Sequence, residues 1–256
     1  MTAVEMHGVT DEFQRCWNAA AHHLQIHARD ARISWLRVDL NPPFLEHLSF
    51  RLGNQLFFLR LMDVDDNLET PGNLSGLHYI AEECHGHACL MPMKKSPDGW
   101  KAHAQGWGLV DATTRLSLDP TSLISSEKIE MTEWEVLDFA VQMVRNHITN
   151  KLGYEIMSFQ CNPSLDPSIW FVGDNGPEWV VVRAVRYPDL DASMPPNIKN
   201  IAKNCIRQGK VGHFASVSVA NSEDAFDPDG QISALPLWRG HGLFRRFEGL
   251  LPAILQ

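Results

Sequence analysis

The sequence predicts an α+β protein made by tandem duplication: two α-β-β-β-α-β-β units, at residues 10–120 and 131–256, forming a pseudo-dimer. Three observations carry this expectation. One offset, 121 residues, aligns well-separated stretches of the two halves. The order of helix and strand signals is the same in both. The length of 256 residues suits two units of roughly 120 residues, each able to bury a stable core.

The alignment starts from NPPFLEHLSFRLGN at Asn41 and NPSLDPSIWFVGDN at Asn162, where Asn41, Pro42, Phe50 and Asn54 fall on Asn162, Pro163, Phe171 and Asn175. The same offset places Glu12 on Glu133 and Cys84 on Cys205. A two-residue slip at Gly176–Pro177 sets QLFFLRL over EWVVVRA, so that Arg60 meets Arg183. Further on, Gly86 and His87 meet Gly212 and His213, and GWGLV at Gly106 meets GHGLF at Gly240.

Each half opens with an amphipathic helix. Thr132 and Glu135 form a capping box ahead of Leu137, Ala140, Val141, Val144 and Ile148; Asp11 and Gln14 do the same ahead of Trp17, Ala20 and Leu24. Three strands follow, ISWLRVDL, HLSFRLGN and QLFFLRLMDV in the first half, and YEIMSFQC, SIWFVGDN and EWVVVRAVRY in the second. Gly-Asn and Gly-Asp-Asn-Gly turns make hairpins of the second and third strands. The run EWVVVRAV is apolar enough for a strand buried on both faces. A second helix carries an IAxxC pattern, and two strands close each unit. The polar stretch 119–131 reads as the linker.

The formal net charge of −9 disfavours a general nucleic-acid binder and leaves room for a local basic patch. It suits a protein whose partners are proteins or small molecules. Five scattered cysteines point away from a disulfide framework and toward a reducing compartment. The opening residues lack the features of a signal peptide, and no apolar run reaches spanning length, so the expectation is a cytoplasmic protein without a membrane partner.

The order helix, three-stranded meander, helix, strand resembles the restriction-endonuclease-like, or PD-(D/E)xK, superfamily, best over residues 132–220. That resemblance implies Mg²⁺ held by an Asp on the second strand and by a Glu-x-Lys on the third, with phosphodiester cleavage as the activity. The sequence departs from the pattern. Ser168 and His47 stand at the Asp position, and Val181-Val182-Arg183 and Phe58-Leu59-Arg60 replace Glu-x-Lys. A nuclease would have to gather Glu135, Asp166 and Glu178 around its metal instead. The same element order resembles type III secretion chaperones and YbjN-like domains, which are acidic, non-catalytic and bind partner proteins as dimers. A fused duplication would be a one-chain version of such a dimer, acting as a monomer or weak homodimer.

Other constellations favour packing over chemistry. Cys84, His85, His87 and Cys89 are zinc-type ligands, but their spacing is wrong for Cys-x2-Cys pairs. His23 and His27 lack the Glu of a His-Glu-x-x-His site. The run with Asp224, Asp227, Asp229 and Gly230 lacks the spacing of a calcium loop. The residues common to both halves, Asn41/Asn162, Arg60/Arg183, Gly86/Gly212 and His87/His213, suit turns, helix ends and ion pairs. Their functional reading is an anion pocket between the repeats, with Arg239, His241 and Arg245 of the basic C-terminal run nearby. The expectation is therefore a non-catalytic binding protein without a cofactor, such as an adaptor, chaperone or immunity-type protein. The alternative is a divergent Mg²⁺-dependent nuclease.

Overall fold

A computed structural model describes residues 10–28, 32–38, 40, 47–174, 176–224 and 234–253. Asn41, Asn175, Asp227, Asp229 and Gly230 lie outside the described residues. The protein is a mixed α+β structure with two mixed sheets and four α-helices among those residues, and it divides into two compact units between Glu127 and Lys128. No helix among them is long and apolar enough to cross a membrane.

The first unit opens with α1 (Asp11–Ala28). Its cap is Thr10, whose Oγ1 accepts from Phe13 N at 3.1 Å, and not the expected Asp11. The hydroxyl one residue earlier captures the first free amide and leaves Asp11 in the first turn. Phe13, Cys16, Trp17, Ala20 and Leu24 are buried, as the helical spacing requires. Then come β1 (Ile33–Arg37), β2 (Leu48–Leu52), β3 (Gln55–Asp63), α2 (Leu74–Glu83) and β4 (His87–Ser96). Three short strands follow, β5 (Gly99–Ala102), β6 (Leu109–Asp111) and β7 (Ser117–Leu118). The sheet runs β1-β2-β3-β4-β6-β7, with β5 also on β4, and β3 and β4 are parallel. Side chains alternate along a strand. Phe57, Leu59 and Leu61 of β3 and Cys89, Met91 and Met93 of β4 therefore pack with the α1 core, while Phe58 and Arg60 face the other way.

The second unit has α3 (Glu133–Asn146) continued by a π-helical turn (His147–Lys151), then β8 (Glu155–Phe159), β9 (Ile169–Gly173), β10 (Gly176–Arg186), α4 (Ile198–Cys205), β11 (Val211–Asn221), β12 (Leu243–Arg246) and β13 (Leu251–Pro252). The predicted capping box of Thr132 and Glu135 is present in both directions. The sheet order is β12-β11-β10-β9-β8, β13 also pairs with β11, and β10 and β11 are parallel. Val180, Val181 and Val182 are wholly buried, which bears out a central strand covered on both faces. Trp179 and Val181 pack with Ile201 and Cys205 of α4 and with Phe214; Val180 and Val182 alternate to the α3 side.

The common element order is compatible with duplication, but two details of the alignment need correcting. Leu52 pairs with Gln55, and Gly173 with Gly176, so both hairpins close over a two-residue connection without an insertion. The 121 offset thus continues through the turn. The GWGLV and GHGLF segments also occupy different sheet positions. Strand β6 pairs with β4 at Cys89 and Leu90, near its start, whereas β12 pairs with β11 at residues 218–221, near its end. By ladder position β12 corresponds to β5, a strand reached through the Ser96-Pro97-Asp98-Gly99 turn that sequence reading passed over.

The expected linker is divided between the units. A short 3₁₀ turn (Pro120–Leu123) is capped by Asp119, and Asn54 Nδ2 donates to Ser125 Oγ and to Glu127 O at 3.0 and 2.8 Å, so this part belongs to the first unit. Residues 129–131 instead hydrogen-bond to 237 and 239 within the second unit.

The shared glycines have a packing cause. A Cβ at Gly86 would lie 2.8 Å from the Phe58 ring, and one at Gly212 would fall inside the Trp179 ring. Each glycine makes room for an aromatic ring of the neighbouring third strand. Gly212→Ala should therefore cost about 2–3 kcal/mol of unfolding free energy in urea. Gly153→Ala, where nothing lies within 4 Å and only the φ of +77° opposes a side chain, should cost about 1 kcal/mol.

Candidate functional site

The parallel strand pairs place the shared histidines. His87 lies opposite Phe57 on β3, and its Nε2 is 3.0 Å from Gln55 Oε1. His213 lies opposite Val180 on β10, and its Nε2 is 2.7 Å from Glu178 Oε2. In both units the histidine reaches back to the polar residue two places earlier on the third strand. In the second unit this makes a carboxylate–imidazole pair, partly buried at one end of the sheet. Glu178 lies over Gly173, where a Cβ would collide with its carboxylate.

Aromatic residues flank this pair. Phe171 lies opposite Glu178 in the ladder, with its ring 5.7 Å from that of His213 and stacked at 5.6 Å on Tyr154. A hydrogen bond to Asp174 raises the Tyr154 phenol above its ordinary range. Sequence reading missed Phe171, Tyr154 and Asp174 as members of this group. The two-residue hairpin was the available signal, because it fixes Phe171 opposite Glu178.

The three carboxylates of the nuclease expectation are not brought together. Glu135 accepts from the Arg239 guanidinium at 2.8–3.0 Å in a fully enclosed pair. Asp166 takes two bonds from Arg183, at 3.0 and 2.6 Å. Glu178 holds His213. Strand alternation puts Glu178 on the α3 side of β10 and Arg183, with its Asp166, on the α4 side. Ser168, at the expected Asp position, is buried with its Oγ accepting from Val182 N at 3.1 Å. Among the described residues no group of three or more His, Cys, Asp or Glu could hold a metal ion.

The zinc-type quartet is separated in the same way. Cys84 is buried at the end of α2, while Cys89 points into the α1 core, where burial pushes its thiol up to about 12. His85 is exposed at a φ of +46°, and His87 is held by Gln55.

The proposed anion-binding set divides into buried and exposed members. Arg60 donates to the carbonyls of Pro71 and Thr70 and fixes the approach to α2. Arg183 and Arg239 are paired as above, and Arg239 is 3% exposed, so it is not part of a surface patch. His241 and Arg245 are exposed. Arg246 beside them bonds Glu248 at 2.7 Å, and this partner holds its guanidinium above the usual value.

Residues 134–253 match the family model DUF8840, a domain of unknown function. The match covers a little under half of the chain and lies within the second unit, which is thus similar to that family. No curated protein and no solved structure matches the chain.

His47, the first unit's residue at the Asp position, has its ring 5.4 Å from Phe58. Burial, and then the positive charge of Arg37, push its imidazole down to about 3. The fold therefore favours the neutral ring. That stability is present above the ordinary value near 6.5 and is lost as pH falls toward 3. Burial lowers His23 and His147 as well. Unfolding free energy should drop by about 2 kcal/mol from His47 alone between pH 7 and 5, and His47→Gln should remove that part of the slope.

Proposed function

We propose that the chain is a non-catalytic binding protein that recognises an acidic partner protein through its C-terminal strand β12. One observation carries this reading: the basic C-terminal run is split between an anchor and a display. Arg239 is buried against Glu135 and ties the run to α3, while Phe244 (44% exposed) and Arg245 stand on a strand at the end of the sheet. Such a strand offers backbone groups for pairing, an apolar anchor and a positive charge. On a chain with a net charge of −9, this local basic surface selects for acidic partners. The internal pairing of Glu135, Asp166 and Glu178 supports binding over metal-dependent cleavage. The reading includes a cytoplasmic setting and a monomer or weak homodimer, with the two units derived from one duplicated ancestor.

The test is a pull-down from the native host with wild type and with Phe244→Ala/Arg245→Glu. An acidic protein captured by the wild type should be lost with the double variant, whose circular dichroism should be unchanged. Cleavage of DNA or RNA in Mg²⁺ or Mn²⁺ that disappears with Asp166→Ala would instead establish the nuclease reading.

A further inference from the structure

Helix α4 turns a basic face to solvent. Its buried side, Ile201 and Cys205 with Ile198 and Ala202, packs on Trp179, Val181 and Phe214. Outward, a four-residue pattern repeats: Lys199-Asn200, Lys203-Asn204, Arg207-Gln208. On a helix this spacing sets the cations in one row and the amides in the row beside it. All of these side chains are exposed, as is Lys210 beyond them. From Lys199 to Arg207 the row runs about 12 Å along the axis. The turn that continues it has a firm support. Ile206 keeps helical backbone, and a Cβ at Gly209 would lie 2.2 Å from Pro177 O, so the turn is packed on the β9–β10 hairpin.

No carboxylate among the described residues neutralises this row. The ion pairs of the second unit use Arg183, Arg186, His213, Arg239 and Arg246. Residues 192–222 contain no Asp or Glu, the longest such stretch of the chain. The fold does not ask for the row either. Like charges four residues apart repel, and Lys199 sits in the first turn, where the helix dipole disfavours a cation. Helix α2 gives the comparison. Under the 121 offset its inward residues Ile80, Ala81 and Cys84 fall on Ile201, Ala202 and Cys205, yet Glu82 and Glu83 stand where α4 has Lys203 and Asn204. The same packing therefore tolerates the opposite charge.

We infer that α4 is a docking surface for the backbone of double-stranded DNA. Lys199, Lys203 and Arg207 meet phosphates, and the adjacent amides face the groove, where Asn and Gln can pair with base edges. The major groove of B-DNA admits a helix, and that of duplex RNA does not. Other polyanions fit less well. A single strand is gripped by aromatic stacking, and residues 188–213 contain no Phe, Tyr or Trp. An acidic membrane takes up the apolar face of a helix, and that of α4 is buried against the sheet. Protein interfaces are poor in Lys, whereas protein–DNA interfaces are rich in positive charge. The net charge of −9 limits affinity without forbidding contact, because charges farther than about 8 Å are largely screened at physiological salt. The surface uses none of the β12 residues assigned to the acidic partner, so either reading can fail alone.

The full chain, titrated into a fluorescently labelled DNA duplex of mixed sequence and read by anisotropy, tests this. Wild type should bind at about 50 mM salt, with log K falling against log salt at a slope near −3.5, for about four phosphates neutralised. Lys199→Glu, which suits the helix dipole and should keep the fold, should weaken binding several-fold and lower the slope by about one. Lys199→Glu/Lys203→Gln/Arg207→Gln should weaken it roughly a hundredfold, with circular dichroism unchanged. Lys151→Glu, an exposed cation on the π-helical turn, should leave it as in wild type. A wild type that does not bind, or binding that survives both α4 variants, overturns the proposal. So does tighter binding to single-stranded DNA, to duplex RNA or to phosphatidylserine vesicles at the same salt.

Discussion

The second unit depends on a carboxylate and a guanidinium removed from water together. Glu135 closes the capping box of α3 and at the same time receives Arg239, whose side chain is completely enclosed. A buried ion pair stands only if its remaining hydrogen-bonding groups are satisfied, because the cost of desolvation rivals the attraction. The surrounding backbone fits this demand. Arg239 N donates to Ile129 O and Met131 N to Leu237 O, so the entry to α3 and the C-terminal run form one short ladder around the pair. Arg186 adds bonds to Glu133 and Glu130 from the end of β10. Helix, central strand and C-terminal segment are thereby joined at one point.

From that point outward, polar residues that suggest chemistry in sequence become framework. Arg183 and Asp166 tie β10 to the loop before β9, Arg60 fixes the approach to α2, and Glu178 holds His213 at the sheet end. In each case a charged group that would be costly alone inside the protein is given its partner. Phe244 and Arg245 of β12, by contrast, are turned outward.

The fold was largely legible in the sequence. The capping box placed α3 to the residue, the β-branched and aromatic runs placed the first three strands of each unit, and the near-continuous apolar EWVVVRAV marked the central strand. The site was much less so. Glu135 and Arg239 are over a hundred residues apart, and no spacing rule pairs them. The separation of Asp166 from Glu178 follows from strand faces, which become visible only once the helices on each side of β10 are known. The GWGLV and GHGLF similarity misled because like sequences took different positions along the fourth strand.

Glu135 is a framework residue, held by the enclosed Arg239 guanidinium. The decisive measurement is a double-mutant cycle in urea with Glu135→Gln, Arg239→Met and the combination. Each single change should cost about 3–5 kcal/mol and the pair should be strongly coupled, with the double variant no worse than either single one. Near-zero coupling, with Glu135→Gln as stable as wild type, would contradict it.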